Sequence, residues 1–430
     1  MQYIGEFVLN RNVDEFFAET EQVAFCTSHV IPGVGFSDDP LLQGRNFSYF
    51  DTQISRLGIN WEELPINRPI CPVMNFNRGG KMKHRIHQGK VNYWPNRFSE
   101  VPPCPMTQGG YVDYAEKVSG IKARTNGPKF QEHFNQARMF YNSLSEVEKL
   151  HVQSALAFEL DHCDEPIVYE RVCQRLYDLN PDLAANVSRM VGGGPPLEGS
   201  SAVPPVSRIA SARITPPKAK AISMFEFHPS TPTIVTRKIG ILIADGFDSL
   251  AVENVKASIV AAGAVPLIIG PRRHNILPAG AEPGSSSAMK ADHHFEGMRS
   301  TMVDAVMIPP GTESINTLRT NGRVTHWIRE AFGHLKPIGA LGYDAVELLK
   351  DVLGPEVTDR MEFASMDVKV VSSYGVVTMS AYTGDEGNDW WRMWKIVKDE
   401  FNFVSAYFYE ISQHRNWKRE LEGLAKLVAF

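Results

Sequence analysis

The chain has 430 residues, enough for two to three domains with separate cores. Apolar residues make up 43% and charged residues 22%, an ordinary globular composition, and a net charge of −5 gives no basis for nucleic-acid binding. Cys26, Cys71, Cys104, Cys163 and Cys173 form no C-x-x-C pair, so neither a disulfide framework nor a zinc site is indicated, and no apolar run approaches a membrane span.

In chain order, YIGEFVLN (3–10) predicts a strand and VDEFFAETEQVAF (13–25) a helix. From about 27 to 127 the chain is punctuated by Pro and Gly, broken by one helical stretch inside 41–58. Phe130, Phe134, Ala137, Phe140, Tyr141 and Leu144 then follow helical spacing. Ser145 and Glu148 have capping-box spacing for the next helix, and two more helices are expected near 166–177 and 181–190, the second begun by Pro181. Residues 192–233 hold eight prolines among Ser, Ala and Gly and read as an extended linker.

Beyond the linker, strands and helices alternate. KIGILIA (238–244), PLIIG (266–270), VDAVMIP (303–309) and KPIGAL (336–341) read as strands, with helices at 248–262, 322–333 and 344–352. A strand pair near 367–380 and a helix near 388–412 follow. Continuous apolar strands alternating with helices predict a doubly wound parallel sheet. The organisation expected is therefore 1–127, a helical domain at 128–191, a linker at 192–233 and an α/β domain at 234–430.

The chemistry concentrates in LLQGRNFSYFDTQISRLG (41–58), where Arg45 precedes Tyr49 by four residues and Arg56 follows it by seven. On a helix these positions share one face. An arginine against a phenol favours the phenolate, a hard anionic ligand for ferric iron. An isolated R-x-x-x-Y pair would read as an ordinary surface contact. This one sits in RNFSYFDTQISRLG (45–58), followed by INRP (66–69) and NFNR (75–78), and together these closely resemble the proximal haem segment of haem catalases. The likeness extends upstream through YIGEFVLNRN (3–12) and downstream to about residue 190. It is strongest to the large-subunit clade, especially the fungal members, which add a flavodoxin-like C-terminal domain.

The resemblance implies disproportionation of hydrogen peroxide to water and oxygen on an iron-bound haem, b or d, in a homotetramer. It makes 1–127 the end of the catalase barrel with the proximal helix and wrapping segment. Tyr49 would be the axial iron ligand, Arg45 would hold its phenol ionised, and Arg56 would meet a haem propionate, with Gln53 and Leu41 completing the haem contacts. Cys26, 23 residues before Tyr49, stands where some large catalases link a side chain to the axial tyrosine's Cβ. His29 reads as a cap or helix-face residue as readily as a site residue.

In the catalase pattern the distal His and most of the barrel lie upstream of the matched segment, and His29, His84 and His87 do not stand in a distal-like sequence. Little or no turnover is therefore expected of this chain by itself. The alternating C-terminal part resembles the flavodoxin-like and class I amidotransferase (DJ-1-type) fold. Its nucleophile elbow falls on Gly342, so no covalent catalysis is expected there. GPRR (270–273) lacks a dinucleotide-binding context, FDSLAVEN (247–254) offers only carboxylates, and HHFEG (293–297) reads as a solvated loop. The rival reading is a non-enzymatic chain in which this domain serves assembly or chaperone-like binding. No signal peptide or peroxisomal tripeptide is visible, and a cytoplasmic location is expected.

Overall fold

The computed structural model describes residues 5–31, 33–70, 80–86, 91, 93–97, 104–121, 123–124, 134–192, 219, 222–223, 225–226, 232–365, 370–380 and 402–429. It divides into two compact units, residues 2–125 and 126–430. The motif residues 75–78, most of the linker and the first part of the helix expected at 388–412 lie outside the described residues.

The first unit is built on one helix, α1 (Pro40–Leu57). Asp39 caps it by accepting from Leu41 N (2.9 Å), Pro40 opens it, and Gly58, at φ 113°, ends it. Its inner face packs Phe50 edge-on to Trp61, which is 1% exposed, and His29 stacks on the same indole at 5.2 Å.

Two expectations fail here. Residues 5–10 form no strand, and of the helix expected at 13–25 only the single π-helical turn Phe17–Glu21 is present. The cause is long-range. Arg56 takes the carbonyls of Glu21 (2.8 Å) and Val23 (2.7 Å), and Asn67 takes Gln22 O and Ala24 N (both 2.8 Å). Gln53 takes Phe25 O (2.9 Å). Side chains have claimed the backbone groups a helix would need for its own ladder, so 21–27 becomes an extended strap antiparallel to α1.

The second unit begins with four helices, α2 (Asn135–Ser143), α3 (Glu146–Asp161), α4 (Pro166–Leu179) and α5 (Pro181–Met190). They close on Tyr141, Leu144, Leu160, Cys173, Leu183 and Val187. Ser145 and Glu148 form the expected capping box, and Pro181 opens α5.

The α/β part contains strands β1 (Lys238–Leu242), β2 (Val265–Gly270), β3 (Asn275–Ile276), β4 (Met289–Lys290), β5 (His293–His294), β6 (Ala305–Ile308), β7 (Ile338–Leu341), β8 (Val371–Ser373) and β9 (Val376–Met379). The main sheet runs β5-β2-β1-β6-β7-β9-β8, parallel except for β8, while β3 and β4 pair apart. Its helices are α6 (Ser249–Ala261), α7 (Thr312–Arg319), α8 (Gly322–Gly333), α9 (Tyr343–Leu353), the short α10 (Pro355–Thr358), α11 (Phe403–Ser412) and α12 (Trp417–Leu421). α6 and α11 cover one face, burying Val252, Ile259 and Phe408, and α7 to α9 cover the other, burying Ile315, Trp327 and Leu349. Strands buried on both faces need no polar alternation, which is why their apolar runs are legible in sequence.

HHFEG is a loop only from Phe295 onward. His293 and His294 pair with Ile269 and Gly270 as an edge strand, because Phe295 behind them is drawn into the core.

Candidate functional site

Side chains along one face of α1 carry the site. Arg45, Tyr49 and Arg56 lie along one helix face, and Tyr49 is 37% exposed. Among the described residues, neither the Arg45 guanidinium nor the Tyr49 hydroxyl has a hydrogen-bond partner. Leu41 (69% exposed) and Phe47 (78%) add apolar surface on the same helix. A free phenol with a free guanidinium one turn away, rimmed by exposed apolar side chains, fits a large planar apolar group with an electrophilic metal.

The other predicted residues are placed differently. Gln53 is buried, donating to Phe25 O and accepting from Arg56 Nε (3.2 Å) and Nη2 (2.9 Å). Arg56 spends four of its five N–H groups on Gln53 and on the carbonyls of Glu21 and Val23, leaving one on Nη1. Both residues hold the strap against α1.

The strap in turn sets Cys26. Phe25 is tied to Gln53, and Thr27 Oγ1 donates to Asn46 Oδ1 at 2.7 Å, so Cys26 lies level with the turn of α1 between those anchors, the turn that carries Tyr49. Its Sγ sits 2.9 Å from Ser28 Oγ. Thr27 and Asn46 carry no signal in the sequence, because their pairing spans 19 residues without a periodic pattern. His29 is occupied away from this turn, stacked on Trp61 with Nε2 2.7 Å from Glu62 Oε1.

In the second unit a crevice of about 940 Å³ lies at the carboxyl ends of β1 and β6, where the strand order reverses. Gly246, Asp248, Ser249, Gly311 and Glu313 line it. Gly342, at φ 91°, caps α9, and a Cβ there would meet Pro310 Cβ at 2.9 Å. A side chain at this position would therefore crowd Pro310. Among the described residues no cluster of three or more His, Cys, Asp or Glu could hold a metal ion, and no helix is long and apolar enough to cross a membrane.

Comparison with known proteins supplies the assignment. A family model described as Catalase matches residues 1–100, one described as catalase-related immune-responsive matches 127–191, and one described as the C-terminal domain found in long catalases matches 235–385. Among curated proteins, Catalase-1 of Neurospora crassa is 52% identical over 431 residues, covering all of this chain and 55% of that protein. Catalase A of Aspergillus fumigatus is 51% identical over 435 residues, again covering the whole chain and 56% of the relative. The chain belongs to the catalase family. Catalase HPII of Mycobacterium avium is more distant, 35% identical over 423 residues, covering 98% of the chain and 54% of that protein. The chain thus spans about 55% of the length of the curated catalases it matches. The mixed α/β architecture with a mainly parallel sheet is consistent with the long-catalase C-terminal match.

Proposed function

We propose that this chain carries the proximal half of a haem site for the disproportionation of hydrogen peroxide to water and oxygen. The observation that carries the reading is the Arg45–Tyr49 pair on α1, without a hydrogen-bond partner among the described residues, inside the segment matched as Catalase. The relatives' names do not favour the non-enzymatic alternative.

Haem, b or d, would supply the iron on which the peroxide O–O bond is cleaved. Tyr49 would hold the iron through its phenolate oxygen, and Arg45, one turn earlier, would keep that oxygen ionised. Leu41 would meet the porphyrin. Arg56 retains one N–H for a propionate, and Gln53 would act by fixing Arg56. The wider reading includes assembly as a homotetramer, a flavodoxin-like description of the α/β part, domain limits near 127, 191 and 233, and a cytoplasmic compartment.

The test is the spectrum of the full chain reconstituted with ferric haem. A tyrosinate-to-iron charge-transfer band is expected, and Tyr49→Phe should remove it; a band that persists in the variant overturns the assignment. In the same reading Cys26 Sγ joins Tyr49 Cβ. The thiol and one Cβ–H are lost, and one hydrogen peroxide is reduced to two waters. Tryptic peptides from haem- and peroxide-treated protein should be joined and stable to thiol reductants. Cys26 that remains free to alkylate would argue against the link.

A further inference from the structure

The amino-terminal edge of the central sheet, the end opposite the crevice, gathers cations that the haem reading does not use. Arg237 precedes β1, Lys336 stands two residues before β7, and His414 and Arg415 follow α11. The backbone draws these turns together. Asn416 N donates to Leu335 O at 2.9 Å, while Asp304 N donates to Lys238 O at 2.7 Å and Asp304 Oδ2 accepts from Lys238 N at 2.8 Å.

Charge at this edge is unbalanced. Asp304 is the one carboxylate, among the described residues, acting on both His414 and Arg415, and its closest cation is Arg237 Nη1 at 3.4 Å. Lys336, 2% exposed, donates to the carbonyls of Ser300 and Val303 (2.5 and 2.7 Å) and, among the described residues, hydrogen-bonds no carboxylate, although the buried Glu330 and Asp304 both act on its charge. The half-buried Arg415 spends one donor, Nη1, on His414 O at 2.8 Å. Among the described residues Arg237 and Arg415 therefore both keep unspent N–H groups.

The backbone is strained at the same places. Thr236, Leu335 and His414 have φ of 68°, 62° and 68°, the left-handed region, and each immediately precedes a cation of the cluster. Such conformations are disfavoured for residues other than glycine and persist where surrounding structure enforces them. A cation after a helix C-terminus has an ordinary role against the helix dipole, which accounts for His414 and Arg415. It does not account for Arg237 and Lys336, brought in from two other turns. The cations also work against one another. Desolvation and then Arg415 and Arg237 hold the His414 imidazole below its usual range, and burial followed by Arg415 pushes the Lys336 ammonium down to about 8.

We propose that this edge is a binding site for a doubly charged tetrahedral oxyanion, a phosphate group, held by Arg237, His414 and Arg415 with the buried Lys336 behind them. Guanidinium forks match such an anion's oxygens, and its charge adds to Asp304, the carboxylate acting on Arg415 and His414, and to Glu330, which acts only on the buried Lys336. The group is either free orthophosphate or a phosphate monoester.

The experiment is calorimetric titration of the full chain with sodium phosphate and, separately, with adenosine 5′-monophosphate, against sodium chloride of equal ionic strength. Histidine ring NMR follows His414, whose signal is identified by its loss in His414→Gln. Saturable binding with a Kd below about 1 mM is expected, together with a rise in the His414 pKa. The Arg237→Gln/Arg415→Gln double variant should bind at least about tenfold more weakly. Asp304→Asn, which keeps an acceptor for Lys238 N, should bind more tightly, and this arm stands even if the double variant misfolds. Tighter binding of the monophosphate assigns an esterified group, and tighter binding of orthophosphate the free ion. Absence of saturation with both probes, or a His414 shift reproduced by chloride, overturns the proposal. So does unchanged affinity in a folded double variant or in Asp304→Asn.

Discussion

Arg419 allows two large opposing effects to be weighed. It is fully buried. Nε donates to Tyr374 O (2.9 Å), Nη1 donates to Phe332 O (2.8 Å) and Lys336 O (3.3 Å), and the guanidinium lies 4.2 Å from the Phe332 ring centroid. Arg419→Leu removes the charged donor from three buried carbonyls, at about 1.5–3 kcal/mol each, or about 4.5–9 kcal/mol. Against this stands the relief of burying a charge, since burial pushes the guanidinium from 12.5 down to about 9. That drop corresponds to about 5 kcal/mol. The lost cation–π contact adds about 1–2 kcal/mol to the damage, so the net expectation is a loss of about 0.5–6 kcal/mol, with a midpoint of about 3 kcal/mol. Arg419→Lys keeps the buried charge without the planar fork and should be at least as damaging. Urea unfolding of the full chain, with amide exchange across α11 and α12, measures both. A Leu variant as stable as the wild type would show that charge burial cancels the fork, and the reasoning here would fail.

Two more perturbations follow from the same domain. Lys336 has its ammonium pushed from 10.5 to about 8 by burial. Below pH 8 both folded and unfolded chains hold the proton and the burial penalty is present in full; between about 8 and 10.5 only the unfolded chain holds it, so stability should rise with pH by about 3 kcal/mol. Lys336→Met should flatten that rise in pH-dependent unfolding, and an identical rise in the variant would contradict the assignment. Gly342→Ala forces a Cβ into the left-handed region and against Pro310, and should lower stability by about 1–3 kcal/mol; an unchanged Tm would show that the α9 cap relaxes freely.

The helix at 40–57 was legible because its signal is dense and local. Arg45, Tyr49 and Arg56 at helical spacing, capped by Asp39 and Pro40, need nothing distant to become one helix with one face. The central strands β1, β2, β6 and β7 were legible for a similar reason, since burial on both faces writes continuous apolar runs. Ser145 with Glu148 announced α3 through contacts only three residues apart.

What the sequence left undecided rests on partners far along the chain. The helical pattern of 13–25 was real, but Arg56, Gln53 and Asn67, up to 45 residues away, captured its backbone groups and drew it into a strap. The same captures tied Arg56 and Gln53 to the strap and placed Cys26 between the anchors at Phe25 and Thr27. His293 and His294 became an edge strand through pairing with β2, 24 residues earlier in register. The meeting of Arg237, Lys336 and Arg415 depends on three strand and helix ends that share only the edge of one sheet. Local periodicity thus settles which elements form, whereas a side chain's choice between its own helix and a distant backbone is an energy difference that arises only once the fold has brought the two together.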